Sequence, residues 1–326
     1  MTQPQSDNSA ASLRADLVLE AGGVKGIAFS GVIGELARAG YRFPRVAGTS
    51  AGAIAGSVIA ALEHAGESPA RLLDIAKTLD VSKVPDQGWL GKHLGPLHLV
   101  ADGASLLFEG GLYEGDYLHT WLTGVLADLG VRTFGDLRRD DPGSALPVDR
   151  EYSFVAVTSD LSEHRMTLLP WDYRHYGLDP DEQPVADAVS ASAAIPFIFE
   201  PRKLRTSYGS VSLVDGGVLS GYPITIFDQP PYRPSRWPTV GVRLSAREDS
   251  RAADHEVDSG IGVVIAVVET MLEGWDARHI SNPASQERTI FVDTSGVSGL
   301  DFDITPEQQR ELIEDGRAAA RRFLGR

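Results

Sequence analysis

Ser50 lies in Gly48-Thr49-Ser50-Ala51-Gly52, a G-x-S-x-G pattern between a short apolar run and a helix-like run. A serine in that setting can occupy a tight strand-to-helix turn that lifts its hydroxyl out of the backbone. Glycine on either side serves a strained turn, because it permits unusual backbone angles and close approach of strand and helix. A hydroxyl held this way is a candidate nucleophile once a neighbouring base takes its proton. Taken alone, the pentapeptide also fits an ordinary small-residue turn.

A second glycine-rich turn lies upstream. Ala15-Asp16-Leu17-Val18-Leu19-Glu20 reads as a buried strand. Ala21-Gly22-Gly23-Val24-Lys25-Gly26 follows, and then a helical pattern with Ile27, Ile33, Leu36 and Ala37 on one face. A loop at a helix N-terminus offers unpaired N–H groups and the positive end of the helix dipole. Those donors suit an anion, including the oxyanion of a tetrahedral intermediate. The spacing matches neither G-x-G-x-x-G nor the P-loop, and no acid stands about 20 positions beyond the loop to hold a ribose. The third piece is Val211-Ser212-Leu213-Val214-Asp215-Gly216-Gly217, a β-type run that delivers an acid onto a glycine turn. An acid at a strand's carboxyl end commonly faces a site at the sheet edge. Its plain alternative is an Asp-Gly turn.

The three pieces in this order resemble the patatin-like phospholipase family. Gly22, Gly23, Val24, Lys25 and Gly26 match its oxyanion loop. Gly48 to Gly52 match its nucleophile elbow, and Asp215, Gly216 and Gly217 match its acid motif. Val155–Leu161 resembles the family's central strand and turn, and Ala191–Phe199 its helix end and proline turn before the acid motif. Ala21 stands where the family often has a third glycine, and Ser220-Gly221-Tyr222-Pro223 where it often has asparagine. The resemblance implies a three-layer α/β/α sandwich with a mostly parallel sheet. It also implies calcium-independent cleavage of lipid acyl esters by a Ser50–Asp215 dyad, with the loop glycines binding the oxyanion and no cofactor. An ordinary aspartate, with a pKa near ~3.9, is a feeble base at neutral pH, so the dyad requires Asp215 to be buried. Two alternatives stand beside it: a Ser-Asp-His triad of Ser50 and Asp215 with His255 or His279, and a lipid-binding relative without turnover.

Composition agrees with one catalytic domain over residues 15–326 after a flexible polar tail at 1–14. The chain has 326 residues, 42% of them hydrophobic, and no cysteine, so no disulfide framework and no thiolate metal site are expected. Its eight histidines lack ligand spacing, and Asp140-Asp141 and Asp301/Asp303 lack the remainder of a calcium loop. A net charge of −15 argues against nucleic acid as the partner. Arg202, Lys203, Arg205, Arg233 and Arg236 surround the acid motif and read as solvated residues, with lipid phosphate as the alternative contact. The start lacks a basic end and an apolar core, and no apolar run reaches the ~18 residues of a membrane span. A cytoplasmic protein with peripheral membrane contact is the expectation. Oligomeric state has no signature here.

Strand and helix patterns alternate, as a mostly parallel sheet requires. Strands are expected at Ala15–Glu20, Arg45–Ala47, Tyr152–Thr158, Met166–Leu169 and Thr289–Val292, and into Asp215. Helices are expected at Val24–Ala39, Ala51–Ala65, Pro69–Leu79, Gly115–Leu129 and Val185–Ala193, and from Val257 toward Ile280. A last helix follows Thr305 as N-cap, with Pro306 first and Gln308 in the capping-box position. Residues 83–111 suggest a loop or cap. With 257–280, they are where acyl-chain specificity is expected.

Overall fold

The computed structural model describes residues 13–85, 113–141, 144, 146–229, 235–244, 267, 270 and 282–326. Among the described residues there are ten strands: β1 (Leu13–Arg14), β2 (Asp16–Leu19), β3 (Tyr41–Arg42), β4 (Val46–Thr49), β5 (Phe154–Asp160), β6 (Arg165–Leu169), β7 (Arg202–Thr206), β8 (Gly209–Asp215), β9 (Thr239–Arg243) and β10 (Thr289–Phe291). The described helices are α1 (Ala28–Arg38), α2 (Ala51–His64), α3 (Leu72–Ala76), α4 (Asp116–Asp128), α5 (Val185–Ser192), α6 (Pro283–Glu287) and α7 (Pro306–Leu324). None of them is long and apolar enough to cross a membrane.

The main sheet has eight strands. β10, β9, β2, β4 and β5 pair in parallel, β6 and β8 pair antiparallel with β5, and β7 continues antiparallel from β8. This is the mostly parallel α/β architecture expected. β2 and β4 are buried along their whole length, as strands covered on both faces must be. One face packs against α1, α2, α4 and α5 through a core that includes Phe29, Ile33, Leu122 and Phe154. The other carries Val18, Ala47 and Val155 against Tyr222, Ile224 and Phe227.

The register of β5 is what matters for function. A strand has two edges, and β6 fills one of them from Ala156 to Asp160. β4 and β8 therefore share the other edge. β4 pairs with residues 154–157 and β8 with 158–160. The two strands run toward each other and meet end to end, with Thr49 opposite Val157 and Asp215 opposite Thr158. A Cβ placed on Gly216 would lie 2.9 Å from Thr49 Cγ2, as only strands on a shared edge allow.

Helix ends follow local chemistry. Thr305 caps α7 in a full capping box with Gln308, and Pro306 takes the first position, as expected. α7 lies against α1 at backbone distance, because Gly31 faces the Ile313 carbonyl and Gly316 the Ala28 carbonyl. The expected helix at Val24–Ala39 starts as a 3-10 turn at Gly23–Ile27, and the one at Pro69–Leu79 is a 3-10 turn followed by α3. The tail expected through Arg14 ends sooner, since Leu13 and Arg14 pair with Tyr41 and Arg42 as β1–β3. β7 went unread because its Arg-Lys-Leu-Arg-Thr looks like a charge run. It is an edge strand, and edges tolerate charge. The segment expected as a cap at 83–111 is described only to 85, and that expected as a helix from Val257 toward Ile280 only at 267 and 270, so both expectations lie essentially outside the described residues.

Candidate active site

Ser50 stands between β4 and α2 with φ 55° and ψ −120°, a left-handed backbone that a side chain rarely adopts. Both flanking glycines are sterically required. A Cβ on Gly48 would come within 2.1 Å of the Gly52 carbonyl oxygen, and one on Gly52 within 2.3 Å of the Leu19 carbonyl oxygen. The strained turn is held from one side by Ser192, at the end of α5. Its hydroxyl donates to the Val157 carbonyl at 2.6 Å and accepts the Ser50 N–H at 2.9 Å. Ser192 is wholly buried. In sequence its stretch reads only as a helix end, because its partners are 35 and 142 residues away.

Asp215 ends β8 and is wholly buried. Its Oδ1 accepts the Gly217 N–H at 2.7 Å, and its Oδ2 has no full hydrogen-bond partner. The Ser50 hydroxyl faces the carboxylate more loosely than a full hydrogen bond. Burial pushes the Asp215 pKa up to about 7, against the lowering effect of that hydroxyl and of the Gly217 N–H. The reason this acid sits at a site differs from the one read from sequence. β8 is antiparallel, so the carboxyl-end rule for parallel sheets does not apply to it. The end-to-end meeting with β4 brings it level with Ser50.

The glycine-rich loop lies beside the elbow, and its five residues divide by role. Gly23 has φ 55°, and a Cβ there would lie 1.9 Å from the Gly299 oxygen. The N–H groups of Gly22 and Gly23 have no hydrogen-bond partner among the described residues. Val24 and Lys25 are different. The Val24 N–H donates to the Gly299 carbonyl at 2.9 Å, and the Lys25 N–H to the Gly22 carbonyl at 3.2 Å. Neither amide is free to receive an anion. Gly26 acts as a spacer, because a Cβ there would meet the Ala51 Cβ at 2.7 Å. Behind the loop, Glu20 accepts from Arg243 Nε at 2.8 Å and from the Leu244 N–H, which seats Leu244 against Gly22.

From Ser50 an apolar cavity of about 130 Å³ runs between helices. Gly23, Gly26, Ser50 and Ala51 lie at its polar end. Ile54 and Val58 of α2, Leu72 and Ile75 of α3, and Leu118 and Trp121 of α4 form walls, with Ile195, Phe199 and Phe302. Of these, Ile195 and Phe199 lie in the Ala191–Phe199 stretch that resembles the family, while the helical wall positions read in sequence simply as core. No group of acids or histidines among the described residues could hold a metal ion. No described histidine bonds to Ser50 or Asp215: His119 pairs with Asp187 and His175 with Glu163. His255 and His279 lie outside the described residues. Of the arginines read as solvated, Arg202 is half-buried and donates to the Glu114 carbonyl, and Arg236 pairs with Asp141. Arg233 lies outside the described residues.

The profile of the patatin-like phospholipase family matches residues 17–228, a span that includes the loop, the elbow and Asp215. The uncharacterized protein YqhO of Bacillus subtilis (strain 168) is 38% identical over 309 residues, covering 95% of this chain and 97% of YqhO. Among solved structures, VipD of Legionella pneumophila aligns over 95% of this chain with a TM-score of 0.53 at 18% identity, a likeness of fold. The chain spans 66% of VipD's length. ExoU, in its complex with SpcU from Pseudomonas aeruginosa, aligns over 96% of this chain and 52% of its own with a TM-score of 0.45 at 18% identity. Family membership supports lipid acyl hydrolysis as the general activity. On the extent of the profile match and of the identity to YqhO, the chain belongs to the patatin-like phospholipase family.

Proposed function

We propose that the chain cleaves acyl esters of lipids through Ser50 and Asp215, without a metal or organic cofactor. The acyl chain of the substrate occupies the apolar cavity, which places the ester carbonyl at Ser50. Asp215 Oδ2 takes the hydroxyl proton as Ser50 Oγ bonds to the carbonyl carbon. The N–H groups of Gly22 and Gly23 bind the resulting oxyanion, and one such donor is worth ~2.7–4 kcal/mol. The carbon–oxygen bond to the alcohol then breaks, and Asp215 returns the proton to the leaving oxygen. Water attacks the acyl-serine, gives its proton to Asp215, and releases the fatty acid as Ser50 is reprotonated.

The observation that carries this reading is a buried carboxylate oxygen with no full partner, facing a serine hydroxyl on a strained turn at the head of an apolar cavity. A base with pKa near the working pH is what general-base catalysis needs. Ester contact at a lipid surface makes peripheral membrane association part of the proposal. Hydrolysis of a p-nitrophenyl acyl ester and of a phospholipid is the test, in wild type and in Ser50→Ala, Asp215→Asn, His255→Ala and His279→Ala. Loss with the first two and retention with the last two is expected. Loss with either histidine variant, alongside loss with Asp215→Asn, would replace the dyad by a triad of Ser50, Asp215 and that histidine.

A further inference from the structure

The amino ends of the central strands carry a second polar cluster, away from Ser50. Asp16 opens β2, Arg45 precedes β4, Arg236 and Trp237 precede β9, Arg14 ends β1, and Arg139 follows the turn at Phe134–Leu137. β4 has four residues, so about 13 Å separates this edge from the elbow. Three guanidinium groups crowd one indole. The Cζ atoms of Arg14, Arg45 and Arg236 lie 5.9, 5.7 and 4.8 Å from the Trp237 ring centroid. Arg139 belongs to the same group. Its N–H donates to the Glu151 carbonyl at 2.9 Å, two residues before Ser153, whose carbonyl takes the Val46 N–H beside Arg45. Burial, and then the charges of Arg45 and Arg14, hold its pKa below the ordinary arginine value, against the opposing charges of Asp16 and Glu63.

Every acid that faces these cations through a described ion pair already has an arginine of its own. Asp16 takes Arg45 in a two-bond buried pair, Asp141 takes Arg236, and Glu63 takes Arg42. Arg14 and Arg139 have no acidic partner among the described residues, and Arg139 Nε is buried without a hydrogen bond. Two cations without an ion pair among the described residues thus stand beside two paired ones, in a chain whose net charge is −15. Such a donor left unpaired is costly unless something anionic meets it.

We propose that this edge binds a phosphate group through Arg14 and Arg139, with Arg45, Arg236 and Trp237 as the wall that fixes their position. A guanidinium fork matches two phosphate oxygens, and two unpaired forks balance a phosphate dianion. The same chemistry is offered by a free phosphate and by the head group of a phosphatidic acid. This site does not depend on the hydrolytic reading.

Two probes separate the sources: calorimetric titration of the full chain with inorganic phosphate at fixed ionic strength, and flotation with phosphatidic acid in phosphatidylcholine vesicles. Wild type is compared with Arg14→Gln and Arg139→Gln. Saturable phosphate binding that weakens roughly tenfold or more in each variant supports a free-phosphate site. Flotation that is lost in the variants, with no binding of free phosphate, supports a head-group site. Binding that is the same in wild type and variants, or no binding of either probe, overturns the proposal. Arg14 is exposed, so Arg14→Gln carries the test alone should Arg139→Gln not fold.

Discussion

Asp16 and Asp215 are both wholly buried, at opposite ends of the central strands of the same sheet. Burial raises the pKa of each. At Asp16 a guanidinium opposes that rise through two hydrogen bonds and its charge. At Asp215 no cation does. One backbone N–H and a loosely placed hydroxyl are all that oppose it, and the pKa reaches about 7. A buried carboxylate with a counterion is a strut. The same group without one has the raised pKa that the proposed role of base requires, at the cost of its own desolvation.

Exchanging the two side chains for amides should separate these roles most sharply. Asp215→Asn is expected to lower kcat/KM for an acyl ester by ~10⁴-fold, the scale seen when a base in such a unit is removed. Asp16→Asn should leave the rate near wild type. Equal losses in steady-state assays would erase the distinction. The strut is tested by its partner. Arg45→Met leaves the Asp16 charge buried alone and should cost about 3–5 kcal/mol in urea unfolding, whereas the double change Asp16→Asn with Arg45→Met should recover most of it.

The raised pKa of Asp215 has a stability signature of its own. Between the unfolded value of 3.8 and the folded value of about 7, the folded protein binds more protons at Asp215 than the unfolded chain does. Stability from this group is therefore full below pH 3.8 and is lost as pH rises through 7. Asp215→Asn should be the more stable protein at pH 8, by roughly a few kcal/mol, with the gain vanishing toward pH 4. Thermal or urea unfolding across that range measures it, and a gain independent of pH would contradict the raised pKa. The smallest expected effect is at Ser192. Ser192→Ala removes the acceptor for the Ser50 N–H and the donor to the Val157 carbonyl, and should lower kcat about tenfold with KM little changed.

Much of this site was legible in sequence because its parts are local. Gly48 and Gly52 flank a serine within five residues, and a capping box announces α7 within four. Ser50 and Asp215 could be named from those patterns together with the family resemblance. What brings them together was not legible. The shared edge of β5, the turn of β8 into antiparallel pairing and the lock from Ser192 are contacts across long stretches of chain. The same holds for the loop. Val24 belongs to the loop matched to an oxyanion hole, yet Gly299, some 275 residues on, takes its amide, whereas the Gly22 and Gly23 amides have no partner among the described residues.

The most direct test is the rate at which a fluorophosphonate labels Ser50 as a function of pH, with the adduct located by peptide mass mapping, in wild type and Asp215→Asn. The account predicts an adduct on Ser50 whose formation rises with pH through an apparent pKa near the 7 of Asp215, and is greatly slowed and no longer follows that titration in the variant. Labelling of Ser50 at the wild-type rate in Asp215→Asn, or an adduct elsewhere, would contradict it.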